Sequence, residues 1–222
     1  MSDFKLSVLP PSQRSLWLEL ESTPENFVLY GGTAIALRLG HRQSEDFDLF
    51  SNERFDPSSL LSILSYLRGA RVNQRGNNTL TVFVDRGSLV KMSFFGDVQM
   101  SRIQDPDLAS GNRLQIASLL DLTATKLKTI QQRAEAKDYL DLAAAVESGI
   151  ELAHALGAAR AVYGKVFNAI AALKALTYFE DGNLAGLPND VKNRLRTAAR
   201  VTPLESIPVV EGKPGIVCSE SR

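Results

Sequence analysis

Residues 31–50 constrain this chain more than any other part of its sequence. The stretch opens with a glycine pair directly after residues 27–30, an apolar run that is typical of a β-strand. It closes with Asp46 and Asp48, which are separated by one apolar residue, Phe47. Because a strand alternates its side chains, both carboxylates are predicted to share one face while Phe47 turns into a core. The stretch therefore predicts two strands joined by a short helix, with a carboxylate pair on the second strand.

The carboxylate pair and the glycine pair indicate the same kind of ligand. Two carboxylates side by side repel each other, and a divalent cation between them removes that repulsion. A helix that begins just after the glycines offers free backbone N–H groups to a phosphate. Each feature has a plain alternative, since Asp-x-Asp pairs occur on solvated strand edges and glycines occur in simple turns. Together they favour chemistry on a nucleoside triphosphate.

The hydrophobic pattern changes near residue 110, from a mixed half to a helical half. In the first half we predict three helices and five strands: helices 11–21, 33–39 and 58–67, and strands 27–30, 46–50, 71–74, 79–84 and 88–95. Thr33 is predicted to cap the second helix and Gly40 to end it. The strongest helical pieces of the second half are 125–130, 139–146, 151–161, 165–175 and 190–199. The pattern predicts an α+β fold with domains 1–110 and 111–222, and an extended tail after about residue 203.

Composition excludes several classes of protein. The 25 basic and 25 acidic residues give a formal net charge of zero, so any contact with nucleic acid must use a local basic patch. Cys218 is the single cysteine, which rules out a disulfide framework within the chain. The N-terminal residues lack a signal-peptide pattern, and no apolar run approaches the roughly 20 residues of a membrane span. We expect a cytoplasmic protein with no membrane partner.

Residues 27–148 resemble the AbiEii/AbiGii toxin family, which includes the MenT toxins, within the nucleotidyltransferases of the DNA polymerase β type. The resemblance rests on Gly-Gly-Thr-Ala at 31–34, on Leu-Gly-His-Arg-x-Ser-x-Asp-Phe-Asp-Leu-Phe at 39–50, and on a downstream pair of charged helices. It implies a minimal nucleotidyltransferase fold, a small mixed sheet with helices. It also implies that the α-helical domain after this sheet completes the active site.

The resemblance implies a role for five residues of the opening stretch. Gly31, Gly32 and Thr33 would face the triphosphate of a bound NTP. Asp46 and Asp48 would be catalytic and would bind Mg²⁺ or Mn²⁺. Mg²⁺ suits such a pair because it takes carboxylate oxygens and fills its other positions with water and substrate phosphates.

Three residues of the helical half gain roles from the resemblance alone. Lys126 would be catalytic and contact a phosphate, Arg133 would add a second positive charge for the nucleotide, and Asp141 would complete the catalytic set. By periodicity alone these side chains belong to a solvated helix face, and Lys137 and Asp141 would form an i,i+4 ion pair worth ~0.3 kcal/mol. Only the resemblance favours the functional interpretation.

The family resemblance implies transfer of a nucleotide from an NTP to a hydroxyl, in studied members at the 3′ end of tRNA, and a partner antitoxin. One position departs from the wider pattern. Ser93 stands on strand 88–95 where related enzymes place a third carboxylate, and a hydroxyl is a poor general base without an activating neighbour. Either Asp141 supplies that carboxylate, or the metal alone activates the acceptor, or catalysis is weak. Transfer to a protein hydroxyl, and nucleotide or partner binding without catalysis, are the alternative functions.

Overall fold

The chain forms two compact units, and the computed structural model describes residues 4–218. The first unit comprises Met1–Met100, Asp105–Ser118 and Gly215–Arg222, and the second comprises Ser101–Gln104 and Leu119–Pro214. The transition from sheet to helices therefore falls at Ser118 and Leu119, later in the chain than the predicted boundary near residue 110. No described helix combines the length and the apolar character that a membrane span needs.

The first unit is built on a mixed sheet, as the sequence predicts. Its described strands are β1 (Val28–Tyr30), β2 (Asp46–Phe50), β3 (Arg71–Gly76), β4 (Thr79–Asp85), β5 (Leu89–Phe95), β6 (Asp107–Leu108) and β7 (Gln115–Ile116). Their order is β3-β4-β5-β2-β1-β7-β6. The β2–β5 and β1–β7 pairs are parallel, and the other pairs are antiparallel. Strand β2 therefore lies in the middle of the sheet, where it is paired on both sides.

Three helices accompany this sheet: α1 (Pro11–Trp17), α2 (Gly31–Leu39) and α3 (Pro57–Ile63). Helix α1 continues into a 3₁₀ turn, Leu18–Ser22, where the sequence predicts a single helix to residue 21. Aromatic side chains hold the layers together, with the ring of Trp17 stacked on Phe47 of β2 at a centroid distance of 6.1 Å. Because both rings are buried, this contact removes a large apolar area from water and fixes the inner face of β2.

Helix α2 begins two residues earlier than predicted. The N-cap position is Tyr30, which makes no side-chain capping bond, so the prediction of Thr33 as the N-cap is wrong. The Thr33 hydroxyl instead donates to the backbone carbonyl of Asp46, because it lies within the first helical turn and faces β2. The predicted end is confirmed, since Gly40 takes the left-handed conformation, with a φ of 72°, that glycine adopts without strain.

The short strands β6 and β7 are not among the five strands that the sequence predicts. Arg38 of α2 holds them in place through three hydrogen bonds. Its Nε donates to the carbonyl of Ala117 at 2.7 Å, and its Nη2 contacts Asp107 Oδ2 at 2.8 Å and the carbonyl of Ile116 at 2.9 Å. Two-residue strands carry no alternating pattern, so this arrangement depends on a distant side chain that local sequence does not reveal.

The second unit is helical. Its described helices are α4 (Leu119–Thr129), α5 (Ala136–Glu147), α6 (Leu152–Tyr163), α7 (Ala169–Ala175) and α8 (Asn189–Arg200). Small residues line the inner face of α6, where Ala155, Ala158 and Ala159 are fully buried. At Gly157 a Cβ atom would lie 2.5 Å from the carbonyl oxygen of Pro208, so the segment after α8 packs closely against α6. Up to residue 218, where the described part of the chain ends, this tail has one 3₁₀ turn, Leu204–Ser206, and little other regular structure.

Candidate active site

The central strand β2 presents the two predicted aspartates on one face. Asp46 and Asp48 are half-buried, whereas Phe47 and Leu49, which alternate with them, are completely buried. Neighbouring strands flank Asp48 in register, with Tyr30 on β1 and Ser93 on β5. Because β2 is held on both sides and by its apolar face, the carboxylates are fixed by the packing of the sheet.

The N-terminus of α2 approaches this pair at the two glycines. Gly31 has a φ of 74°, and a Cβ atom there would collide with the Oδ2 atom of Asp48. At Gly32 a Cβ atom would lie 2.5 Å from Nη2 of Arg42 and 3.2 Å from Oγ of Ser44. The positive φ and the close carboxylate favour glycine at position 31, and the absence of a side chain at Gly32 leaves room for Arg42. The glycine pair therefore places the N-terminus of the helix, whose first N–H groups have no partner within the helix, beside a carboxylate and a guanidinium group.

Two further contacts define Asp46. The buried Thr33 hydroxyl donates to its backbone carbonyl, which ties the first turn of α2 to β2. The Nζ atom of Lys91 lies 3.4 Å from the Oδ2 atom of Asp46. The sequence pattern does not predict Lys91 as a site residue. It lies next to Asp46 because β5 pairs with β2 in parallel, with Lys91 in register with Asp46. Its ammonium group partly balances the negative charge of the carboxylate pair.

Ser93 occupies the position on β5 where a third carboxylate is expected. It is 2% exposed and lies between Asp48 and Thr81, which is also buried. In the described part of the chain, no group of three or more His, Cys, Asp or Glu side chains is arranged to hold a metal ion. The carboxylate oxygens of Asp46 and Asp48 fit Mg²⁺, which takes its remaining ligands from water and phosphate.

In the second unit, the sequence-predicted residues Lys126 and Asp141 meet in a buried ion cluster. The Nζ atom of Lys126 lies 2.6 Å from Oδ1 of Asp138 and 2.7 Å from Oδ2 of Asp141. Both carboxylates are fully buried, and Lys126 is only 7% exposed. The solvated-face interpretation from periodicity is therefore wrong for Lys126 and Asp141. Each charge tolerates burial because an opposite charge lies within hydrogen-bond distance.

Arg133 completes this cluster from the loop between α4 and α5. It binds Asp138 with both arms, Nε to Oδ2 at 2.8 Å and Nη2 to Oδ1 at 3.2 Å. Burial acts to raise the pKa of Asp138, but the hydrogen bonds from Arg133 and the charge of Lys126 outweigh it, so the pKa lies below its ordinary value. Lys137 pairs with Glu135 at 3.0 Å, whereas the sequence predicts a pair with Asp141.

Asp138 is not among the residues predicted for the site, although the buried cluster is centred on it. In the sequence, only its spacing from Asp141, which places both on one helical face, indicates that the two carboxylates belong together. The local sequence does not show why Asp138 is buried. The packing of α5 brings Lys126 and Arg133 to its carboxylate.

With this geometry established, comparison with known proteins identifies the family. The profile of the nucleotidyl transferase AbiEii toxins of type IV toxin–antitoxin systems matches residues 17–206. The chain belongs to the AbiEii nucleotidyltransferase toxin family. The resemblance seen in residues 27–148 is thereby confirmed, as is the assignment of the chain as a nucleotidyltransferase.

One relative by sequence and two solved structures are similar to this AbiEii protein. An uncharacterized protein of Aquifex aeolicus is 31% identical over 159 residues, covering 70% of this chain and 75% of that protein. MenT4, a nucleotidyltransferase toxin of Mycobacterium tuberculosis, superposes with a TM-score of 0.57 at 15% identity over 88% of this chain and 86% of its own. An H. pylori protein assigned as a nucleotidyltransferase gives a TM-score of 0.52 at 18% identity, covering 86% and 91%. The predicted fold class is therefore confirmed.

Replacing Asp138 with Asn should destabilise the helical unit of this AbiEii protein by ~3–5 kcal/mol, because Lys126 and Arg133 lose the charge that compensates them. Urea unfolding followed by circular dichroism measures the change. Glu147→Gln is the matched control, since Glu147 lies on the same helix and pairs with Arg194 at 2.8 Å at an exposed position. Its cost should stay below ~1 kcal/mol. Equal costs for both variants would contradict the proposed importance of the cluster.

The lowered pKa of Asp138 predicts acid sensitivity. In the pH range around 4 the unfolded chain binds a proton at this carboxyl more readily than the folded protein, so stability falls as the pH decreases through this range. The free energy of unfolding should be measured for the wild type and Asp138→Asn from about pH 7 to about pH 3. The stability difference between the two proteins should shrink on acidification. A constant difference across the range would show that Asp138 is not charged in the folded protein.

Proposed function

We propose that the protein transfers a nucleotide from an NTP to the 3′ end of tRNA. The observation that carries the proposal is the meeting of the α2 N-terminus with the carboxylate pair, where Gly31 leaves no room for a side chain beside Asp48. In this proposal the N–H groups at the N-terminus of α2 bind a phosphate beside two carboxylates, which supply hard oxygen ligands. Membership of the AbiEii family supports nucleotidyl transfer as the reaction class. The similarity of the fold to that of MenT4 supports a nucleotidyltransferase fold.

Asp46 and Asp48 are the residues that would hold Mg²⁺ or Mn²⁺. The bound cation supplies charge neutralisation at the triphosphate and lowers the pKa of a coordinated hydroxyl. The chain itself contributes the backbone N–H groups that follow Gly31 and Gly32, which bind a phosphate oxygen. Lys91 contributes a positive charge beside Asp46, which limits repulsion between the carboxylates and an incoming nucleotide.

In this proposal the carboxylates of the ion cluster in the second unit hold Lys126 and Arg133 in fixed positions. Lys126 is held by two carboxylates, so it would act on a phosphate as a fixed charge. Arg133 is held on one side by Asp138, yet its side chain is 45% exposed and can bind an anion. Asp141, with its carboxylate on Lys126, would fix the position of that ammonium group.

A partner antitoxin is part of the proposal. The family is described as the toxin of a type IV toxin–antitoxin system, which supports a cognate antitoxin protein. Transfer to tRNA would take place in the cytoplasm, where both NTP and tRNA are available.

Ser93 favours a second candidate function, nucleotide binding without transfer. A buried hydroxyl at this position supplies no general base unless a neighbour activates it. Calorimetry with Mg-NTP, run beside the transfer assay, separates the candidates. Binding with no product on RNA or protein would support this second function.

Asp46→Asn should reduce nucleotide transfer by at least about a hundredfold, because it removes a charge from the cation site at constant size. Total tRNA and cell extract should be incubated separately with each of the four labelled NTPs, and the product should be treated with RNase or protease. We expect label that is sensitive to RNase. Label that is sensitive only to protease would show a protein hydroxyl as the acceptor.

The matched control for this prediction is Asp97→Asn. Asp97 has a φ of 57° and pairs with Arg54 at 3.1 Å on an exposed surface, and asparagine tolerates the same backbone conformation. Circular dichroism confirms that both variants are folded. If Asp46→Asn transfers nucleotide as well as Asp97→Asn does, the carboxylate pair is not the metal site.

A further inference from the structure

A pocket in the second unit lies between the α4–α5 loop and the end of α7. Its volume is about 370 Å³, which is in the size range of small-ligand sites. Ile130, Ala134, Ala175 and Leu184 form an apolar lining. Polar and charged side chains and two tyrosines form the rest of the lining, so the pocket suits a flat group with both apolar and polar surface.

One wall of this pocket is an exposed aromatic ring. Tyr178 lies three residues after the end of α7, lines the pocket and is 52% exposed. Tyr139 also lines the pocket. It is buried and fixed, since its hydroxyl donates to the carbonyl of Ala175 at 3.3 Å. A tyrosine ring on a fixed base is the kind of platform on which a nucleobase stacks.

Charged groups at the pocket match the rest of a nucleotide. Lys174 and Arg133 supply two cations, and Asp181 supplies one carboxylate that can accept a hydrogen bond from a base amino group or a ribose hydroxyl. Arg133 is already oriented by its two hydrogen bonds to Asp138. The pocket therefore shares a cation with the buried ion cluster.

Basic side chains of α8 extend this charge beyond the pocket. Phe179 follows Tyr178, and its ring is covered by Arg196 at 4.8 Å and by Lys192 at 6.0 Å from the ring centroid. Lys192 also donates to the carbonyl of Ala185 at 2.8 Å, next to the pocket residue Leu184. The chain has no net charge, so binding to a polyanion needs a local group of cations of this kind.

We infer that this pocket binds one nucleotide of the RNA acceptor, with the base on Tyr178 and the phosphate at Lys174 and Arg133. The inference rests on the proposed function, because it names the place where the acceptor strand is held. A free NTP carries the same base and phosphate chemistry. The strand is favoured over the NTP because Lys192 and Arg196 continue the positive charge past the volume that a single nucleotide fills.

The test measures binding of a short fluorescent single-stranded RNA by anisotropy in the Asp46→Asn background and without NTP, so that no nucleotide can be added to the RNA. Tyr178→Ala should weaken RNA binding about tenfold, and Tyr178→Phe should keep it, because the ring is retained. Lys174→Gln should flatten the slope of log Kd against log salt by about 0.7, since one phosphate contact is lost. Lys165→Gln, which changes an exposed lysine of the same unit, is the control and should leave the slope unchanged.

Each outcome decides the inference separately from the proposed function. RNA binding that is unaffected by Tyr178→Ala and Lys174→Gln would overturn the inference. Weaker binding of Mg-ATP or Mg-CTP with unchanged RNA binding would also overturn it, because the pocket would then hold the NTP. If the wild type transfers no nucleotide to any acceptor, the proposed reaction fails, while the RNA-binding result still decides whether this pocket holds a strand.

Discussion

The close approach of helix α2 to strand β2 is the constraint on which the first unit depends. Gly31 faces the carboxylate of Asp48 at a distance that excludes a side chain, and the Thr33 hydroxyl binds the carbonyl of Asp46. These two contacts fix the helix N-terminus and the strand to each other. The N-terminus of α2 and a carboxylate pair thereby lie side by side, and the catalytic proposal rests on this packing arrangement.

Buried charge has a comparable role in the second unit. Lys126, Asp138 and Asp141 lie in the interior, and each is tolerated only because the others are present. Arg133 joins this group to the surface, since it binds Asp138 and also lines the pocket beside Tyr178. One arginine thus connects the interior cluster with the surface on which we place the acceptor strand.

Sequence reasoning predicts the parts of this structure that have strong local signals. Alternation in β2 predicts the shared face of Asp46 and Asp48, and Gly40 predicts the end of α2. The missed features depend on partners distant in sequence. The Thr33 hydroxyl finds a carbonyl thirteen residues away, Arg38 organises strands β6 and β7, and Asp138 is buried by two cations from α4 and its following loop. Hydrophobic periodicity predicts which face of a helix is polar. It does not predict whether the charged side chains on that face are buried in an ion cluster.

The central claim is that this chain transfers the nucleotidyl group of an NTP. The most direct measurement incubates the wild-type protein with Mg²⁺ and total tRNA, using NTP labelled at the α-phosphate in one reaction and at the γ-phosphate in another. The account predicts that the α label enters the RNA and that the γ label is released with pyrophosphate. Transfer of the γ label to RNA would show phosphoryl transfer and would contradict the account.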